Sequence, residues 1–240
     1  MQLSNNTILI TGGATGIGLG LTRRFIQHKN TVIVCGRRED VLKDAAAELP
    51  GLITKKCDLE DPAEREALYA WVTKEHPGLN ILVNNAGIQN WMNITDKDFY
   101  SRARQEIAIN IEAPLHLTSL FLQHQPLTTV MNVTSGLSFV PVSKAPVYSA
   151  TKAFFHSFNL SLRHSLKARN IEVIEIIPPA LNTDLGAKGI HDSFPPVSDF
   201  IEAIFTQLQA GMTELTFGFS EAMTKAGPAE LQAAFTRLNP

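Results

Sequence analysis

The sequence predicts a doubly wound α/β fold: a parallel sheet of about seven strands with helices on both faces. Three observations carry that expectation. Short apolar runs rich in β-branched residues recur along the chain, each reading as a strand buried on both faces. Segments of helical length and periodicity separate them, and regular alternation of strand and helix is the pattern of parallel βαβ units with right-handed crossovers. No repeat, low-complexity tract or linker interrupts the 240 residues, so 1–240 reads as one domain.

The first strand, TILITGG at 7–13, runs into TGGATGIG, which opens a helix over 17–28. A glycine-rich turn at that junction lets backbone N–H groups approach a pyrophosphate, and the helix N-terminus adds partial positive charge. Gly12, Gly16 and Gly18 therefore mark a candidate dinucleotide site. The second strand, TVIVCGR at 31–37, precedes a helix over 39–49. A carboxylate ending this strand would take a ribose 2′-hydroxyl, but Gly36, Arg37 and Arg38 stand there. Guanidinium groups bind a 2′-phosphate, which favours NADP(H) over NAD(H). Glu39 and Asp40 suit the first turn of the helix that follows.

The third strand, LITKKCD at 52–58, ends in Asp58, an acceptor for an adenine amino group, ahead of a helix over 62–75. The fourth, NILVNNAG at 80–87, ends in Asn84, Asn85 and Gly87, where the backbone can pass close to a cofactor. A long helix over 98–123, a strand TTVMNVTSG at 128–136, a helix over 147–169 and a strand IEVIEIIPP at 171–179 complete the alternation. The stretch 182–199, with two glycines and a Pro-Pro, reads as a mobile loop over a ligand site. A helix over 198–210 and a last strand, ELTFGF at 214–219, follow.

Composition excludes several classes. With 21 basic and 23 acidic residues there is no net field to gather nucleic acid or an anionic membrane. No apolar run spans a bilayer and the N-terminus lacks a signal pattern, so a cytoplasmic protein is expected. Cys35 and Cys57 each close an apolar run and read as reduced core thiols. The seven histidines show no metal-ligand spacing, and His156 and His164 read as packing or interface residues, so no metal is expected.

Within PVYSATKAF, Tyr148 and Lys152 stand four apart and share one face of a helix. An ammonium beside a phenol favours phenolate and would pull the tyrosine below its ordinary pKa, giving an acid/base usable near neutrality. The bland alternative is a packed tyrosine with a lysine stem passing it.

TGxxxGxG, NNAG, a serine at 135, and YxxxK as YSATK thirteen residues on make an ordered set that resembles the short-chain dehydrogenase/reductase family over about residues 5 to 185. The resemblance implies a Rossmann-type fold and hydride transfer at a nicotinamide cofactor. It also implies that Ser135, Tyr148 and Lys152 do the proton chemistry, with Asn110 of AINIEAP holding a water that links Lys152 to solvent. In those roles Tyr148 exchanges a proton with the carbonyl or alcohol oxygen, Ser135 hydrogen-bonds it, and Lys152 lowers the tyrosine pKa and holds the cofactor ribose. Further cofactor contacts are implied at Thr15 and Ile17 in the glycine turn, Leu59 beside Asp58, Ala86 within NNAG, and Pro178, Leu181 and Thr183 after the sixth strand. The family's helices carrying Asn110 and Tyr148 form its subunit contacts, so a homodimer or homotetramer is implied.

Two departures stand out. Pro179 replaces the glycine usual after the sixth strand, which removes an N–H and fixes φ. The C-terminal tail lacks the strand and double glycine of many metabolic members and resembles the DltE-type subgroup. Substrate residues are expected after the strands at Gln89, Asn90, Trp91, Phe139, Val140, Leu181, Leu185 and Phe194. Most are apolar and none is basic, which points to a medium-sized, partly hydrophobic ketone, aldehyde or secondary alcohol. The rival reading is a non-catalytic dinucleotide sensor, against which the intact Ser135, Tyr148 and Lys152 speak; reduction of an enoyl bond is disfavoured by the Tyr–Lys spacing.

Overall fold

The computed structural model describes residues 1–240. The first half alternates β1 (Thr7–Thr11), α1 (Gly16–Gln27), β2 (Thr31–Gly36), α2 (Glu39–Glu48), β3 (Ile53–Lys56), α3 (Pro62–Glu75) and β4 (Ile81–Asn84). There follow α4 (Phe99–Ile107), a π-helical turn (Ala108–Glu112), α5 (Ala113–Phe121), β5 (Thr129–Val133), α6 (Pro146–Leu166) and β6 (Glu172–Ile177). The chain closes with α7 (Val197–Gln209), β7 (Glu214–Thr216), α8 (Phe219–Lys225) and α9 (Pro228–Leu238).

All seven strands are parallel, in the order β3-β2-β1-β4-β5-β6-β7. Alternate residues of each strand feed opposite cores, as a period of two requires. Ile8 and Ile10 of β1 and Val32 and Val34 of β2 join Leu21, Phe25, Phe200 and Phe205 from α1 and α7. Leu9, Ile33, Leu82 and Val130 join Leu68, Val72, Leu117, Phe121 and Leu162 from α3, α5 and α6 on the other face. Both faces being buried explains why the strands read as unbroken apolar runs. The order reverses between β1 and β4, and loops diverge at the carboxyl ends of these strands, the crevice where such sheets bind ligands.

The expected helix over 98–123 is divided: the π-helical turn at Ala108–Glu112 interrupts the regular ladder and carries Asn110. The last strand is shorter than expected, and the tail beyond it is helical. Met223 and Ala234 of α8 and α9 bury Val140, with Phe139, Phe219, Leu231 and Leu238 around them. Asn239 Nδ2 donates to Pro141 O at 3.0 Å, and its Oδ1 accepts from Ser143 N, so the tail is stitched to the loop after β5. The stretch 182–196 is irregular, as expected; Asn182 N donates to Pro195 O at 2.9 Å and Asn182 Nδ2 to Asp192 O at 3.1 Å, folding it back on itself.

Candidate active site

A cleft of about 880 Å³ runs along the carboxyl ends of β1, β2, β4, β5 and β6. Gly12, Thr15, Gly16, Ile17 and Gly18 line one stretch; Arg37, Arg38, Asp58 and Leu59 line the next; Asn85, Ala86, Gly87, Tyr148, Lys152, Pro178, Thr183 and Leu185 line the remainder. Sequence spacing thus brought nearly every expected cofactor residue to one groove.

The glycine turn is built for close approach. Gly12 and Gly16 have φ of +63° and +51°, conformations L side chains rarely adopt. A Cβ on Gly18 would lie 2.2 Å from Gly12 O and 2.5 Å from Asn85 Nδ2, so the helix start and the β4 loop interlock only around glycine. Thr11 Oγ1 accepts from Asn85 N and Ala86 N at 3.0 Å each, and Asn85 Nδ2 donates to Thr11 O at 2.9 Å. The N-cap of α1, Thr15, makes no side-chain cap bond, which leaves first-turn N–H groups facing the groove. Arg37 and Arg38 are exposed on the groove rim, and neither engages a carboxylate of the chain. An uncapped helix start, two glycines with left-handed φ and two unpaired guanidinium groups along one groove fit a phosphorylated dinucleotide.

At the far end, α6 presents Tyr148, 6 % exposed, and Lys152, 7 % exposed. Lys152 Nζ donates to Val133 O at 2.8 Å and stands 5.6 Å from the Tyr148 ring centre. Ser135 caps the short 3₁₀ turn Gly136–Ser138, its Oγ accepting from Leu137 N at 3.1 Å, beside the Tyr148 hydroxyl. Asn110 Oδ1 accepts from Ile88 N at 2.9 Å while its Nδ2 donates to Ile88 O at 2.8 Å and Thr151 Oγ1 at 3.2 Å. A Cβ on Gly87 would lie 3.3 Å from Asn110 Oδ1 and 3.6 Å from Lys152 Nζ, so a glycine there keeps this end open.

The electrostatics correct one expectation. Tyr148 is pushed up, not down: burial disfavours the phenolate more than the Ser135 hydroxyl favours it, and Glu106 raises it further. Burial likewise lowers Lys152 to about 8, so the ammonium is itself disfavoured and its bond goes to a backbone carbonyl. Glu106 is a residue the sequence reading did not single out. Fully buried on α4, it accepts from Asn90 N and is raised to about 7 by burial. Its signal was a glutamate four residues before Asn110, on the same helical face.

Other positions need correction. Phe139 and Val140 turn away from the cleft into the small core under α8 and α9, and Phe139 packs on His156 with ring centres 4.5 Å apart. Leu181 is buried in the α1–α7 core, leaving only its backbone for a ligand. Asn84 is committed beneath the site, donating to Thr118 Oγ1 at 3.0 Å and Asn132 Oδ1 at 2.8 Å. Trp91 stands outside the main cleft in a small hollow with Met92, Asn93 and Lys144, and its Nε1 would be 2.8 Å from a Cβ on Gly186. Phe194 is exposed and packs edge-on against His191 rather than lining the cleft. Gln89, Asn90 and Leu185 do line it. Cys35 and Cys57 are free, buried thiols, as expected, and both border the groove between β2 and β3. No helix is long and apolar enough to cross a membrane.

A groove of this form at the reversal point of a parallel sheet, ending in a buried tyrosine and lysine, defines the class of dinucleotide-dependent oxidoreductases. Residues 6–193 match the short chain dehydrogenase family, and the protein belongs to that family. It is 42 % identical over 250 residues to the uncharacterized oxidoreductase DltE of Bacillus subtilis, covering 100 % of this chain and 98 % of that one. It is 32 % identical over 175 residues, 71 % of each chain, to the NADP-dependent 3-hydroxy acid dehydrogenase YdfG of Escherichia coli K12. Its fold is similar to a short chain dehydrogenase from Burkholderia cenocepacia in complex with NADP, with a TM-score of 0.85, 21 % identity and 99 % of both chains covered.

Proposed function

We propose that the protein is an NADP(H)-dependent oxidoreductase acting between a ketone or aldehyde and the corresponding alcohol, one domain carrying both sites, with Tyr148 as the general acid/base. The observation that carries this is the convergence of Ser135, Tyr148 and Lys152 on the end of the groove bounded by Gly87. Arg37 and Arg38 would take the 2′-phosphate, Asp58 and Leu59 the adenine, the α1 start the pyrophosphate, and Thr183 with the backbone at Pro178 and Leu181 the carboxamide. The nicotinamide, when bound, supplies or accepts the hydride.

The chain's own groups do the rest. Ser135 and Tyr148 hold the substrate oxygen, and Tyr148 gives its proton to that oxygen in reduction or takes it in oxidation. A phenol held this tightly by burial suits donation to a strongly basic alkoxide-like oxygen. Lys152 replaces the proton and holds the ribose hydroxyls. Asn110 spends both amide N–H groups on Ile88 O and Thr151 Oγ1, which fixes the π-helical turn against the β4 loop and α6, and the second lone pair of its Oδ1 stays open to a water leading from Lys152 to solvent. The substrate end, between Gln89, Asn90 and Leu185, has no basic side chain and suits a neutral carbonyl compound.

Exposed Phe154 and Leu160 on α6 and Ile107 on α4 support a homodimer or homotetramer through those helices, and the absence of a membrane-crossing helix is compatible with a cytoplasmic enzyme. Light scattering on the purified protein tests the assembly. The activity is tested by a panel of ketones, aldehydes and alcohols with NADPH, NADH and their oxidised forms, beside Tyr148→Phe. Turnover by the wild type with a loss of about 100-fold or more in the variant is expected. Full turnover by Tyr148→Phe would overturn the mechanism, and tight NADPH binding without turnover of any compound would turn the reading to a dinucleotide sensor.

A further inference from the structure

Glu106 and Asn110 are one turn apart on a helix face, and together they grip the segment that leaves β4. An extended segment shows alternate N–H groups on one side. Ile88 N donates to Asn110 Oδ1 at 2.9 Å, and Asn90 N donates to Glu106 Oε1. The side chain of Glu106 is 0 % exposed, and its second oxygen, Oε2, has no hydrogen-bond partner in the protein. The charge of Arg102, one turn earlier, pulls Glu106 down by less than burial pushes it up, and no bond joins the two: Arg102 Nη2 bonds Asp96 at 2.9 Å and Asp98 at 2.7 Å, and its Nη1 donates to Trp91 O at 2.9 Å. The segment 88–92 brings no charged side chain to the carboxyl, and from α6 the titratable group that feels it is Tyr148.

A buried acid is a costly choice for a part that needs only one acceptor. A glutamine would accept from Asn90 N equally well through its amide oxygen, without an ionisable group out of water. The carboxyl therefore calls for a role that the clamp alone does not explain.

We propose that Glu106 is a positioning residue of the active site, fixing the Gln89–Asn90 wall of the substrate end against α4, and that its proton governs how firmly Tyr148 holds its own. The inference rests on Tyr148 being the acid/base proposed above. Protonated, Glu106 is neutral and the phenol gives up its proton more readily. Ionised, it places a negative charge within reach of the phenol, which then holds its proton against both donation and phenolate formation. Because burial places this carboxyl near neutrality, the change falls within the ordinary working range.

The test uses the full chain, NADPH and the first carbonyl compound turned over in the panel, with Glu106→Gln, Glu106→Leu and Tyr148→Phe. Wild-type kcat/KM is expected to fall as pH rises through about 7, and Glu106→Gln to lose that inflection and exceed the wild type at least about threefold near pH 8.5. Glu106→Leu, which cannot accept from Asn90 N, is expected to raise KM at least about fivefold with a smaller change in kcat. Infrared spectra of the wild type should show a protonated-carboxyl stretch that disappears near pH 7 and is missing in Glu106→Gln, a readout independent of turnover. A carboxyl band titrating in the ordinary glutamate range, or an unchanged pH profile in Glu106→Gln while Tyr148→Phe is inactive, overturns this inference alone. An active Tyr148→Phe, or no turnover by any form, removes the reading on which it rests.

Discussion

The Nζ of Lys152 donates to the carbonyl of Val133 across 2.8 Å, pinning the helix that carries Tyr148 to the strand that leads into Ser135. One buried bond therefore sets the spacing of two hydroxyls that belong to different elements, and it is made by a side chain whose charge burial disfavours.

Lys152→Met should cut turnover by about 100-fold or more while the protein remains folded, as measured by NADPH consumption and circular dichroism. Its stability should also respond to pH differently. The folded-state pKa of Lys152 is depressed from 10.5 to about 8, so stability is lost as pH falls from the first value through the second. Over that window the wild type should lose up to about 3 kcal/mol relative to Lys152→Met in urea melts.

Glu106 has the opposite sense. Its folded pKa is raised from 4.5 to about 7, so its contribution is full below the first value and lost as pH rises through the second. Glu106→Gln should match the wild type near pH 4.5 and exceed it by up to about 3 kcal/mol above pH 7. Urea midpoints at the two ends of the range check this.

Arg37→Ala combined with Arg38→Ala should weaken NADPH binding about 100-fold or more and leave NADH nearly unaffected, since each guanidinium bond to a charged phosphate contributes about 1.5–3 kcal/mol. Fluorescence titration of the two cofactors decides it. An unchanged NADPH preference would move the 2′-phosphate contact elsewhere.

Gly18→Ala should destabilise by about 1–3 kcal/mol or prevent folding, because the added carbon meets Gly12 O at 2.2 Å, a backbone atom that cannot swing away. Gly51→Ala, whose added carbon meets nothing within 4 Å, controls for glycine replacement as such, its φ of +88° contributing backbone strain alone. Thermal melts of the two variants compare packing with strain.

His156→Ala should cost about 3 kcal/mol or more, because Glu175 is fully buried in β6 and would keep only Thr134 Oγ1, at 2.7 Å, as partner. The carboxylate of Glu175 raises the His156 pKa by accepting its hydrogen bond, 3.1 Å from Nδ1. The stabilisation is therefore full below the ordinary imidazole value and fades as pH rises through the raised one. Thermal melts across that range should show the slope in the wild type and its loss in the variant.

The fold was legible because a two-faced sheet writes itself as apolar runs, and the groove because the glycines and Arg37 lie within a few residues of strand ends while Tyr148 and Lys152 share one face of α6. What escaped depends on contacts distant in sequence. Phe139 reads as a pocket residue until α8 and α9 arrive to bury its neighbour Val140, and Tyr148 reads as acidified until the protein around it is counted against the charge of one lysine. Glu106 carries no motif of its own; only its bond to Asn90 N, across the gap between α4 and the β4 loop, sets it apart. The π-helical turn under Asn110 was likewise invisible, because its residues keep helical composition.

The stitch from Asn239 to Pro141 and Ser143 spans 98 and 96 positions of chain. At a synthesis rate of about 5–20 residues per second, the loop that holds Ser135 waits roughly 5 to 20 s for its last tether after it has been made. A nascent chain can thus hold Ser135, Tyr148 and Lys152 while the loop after β5 is still untied, so that loop takes its final shape only when the C-terminal helix arrives.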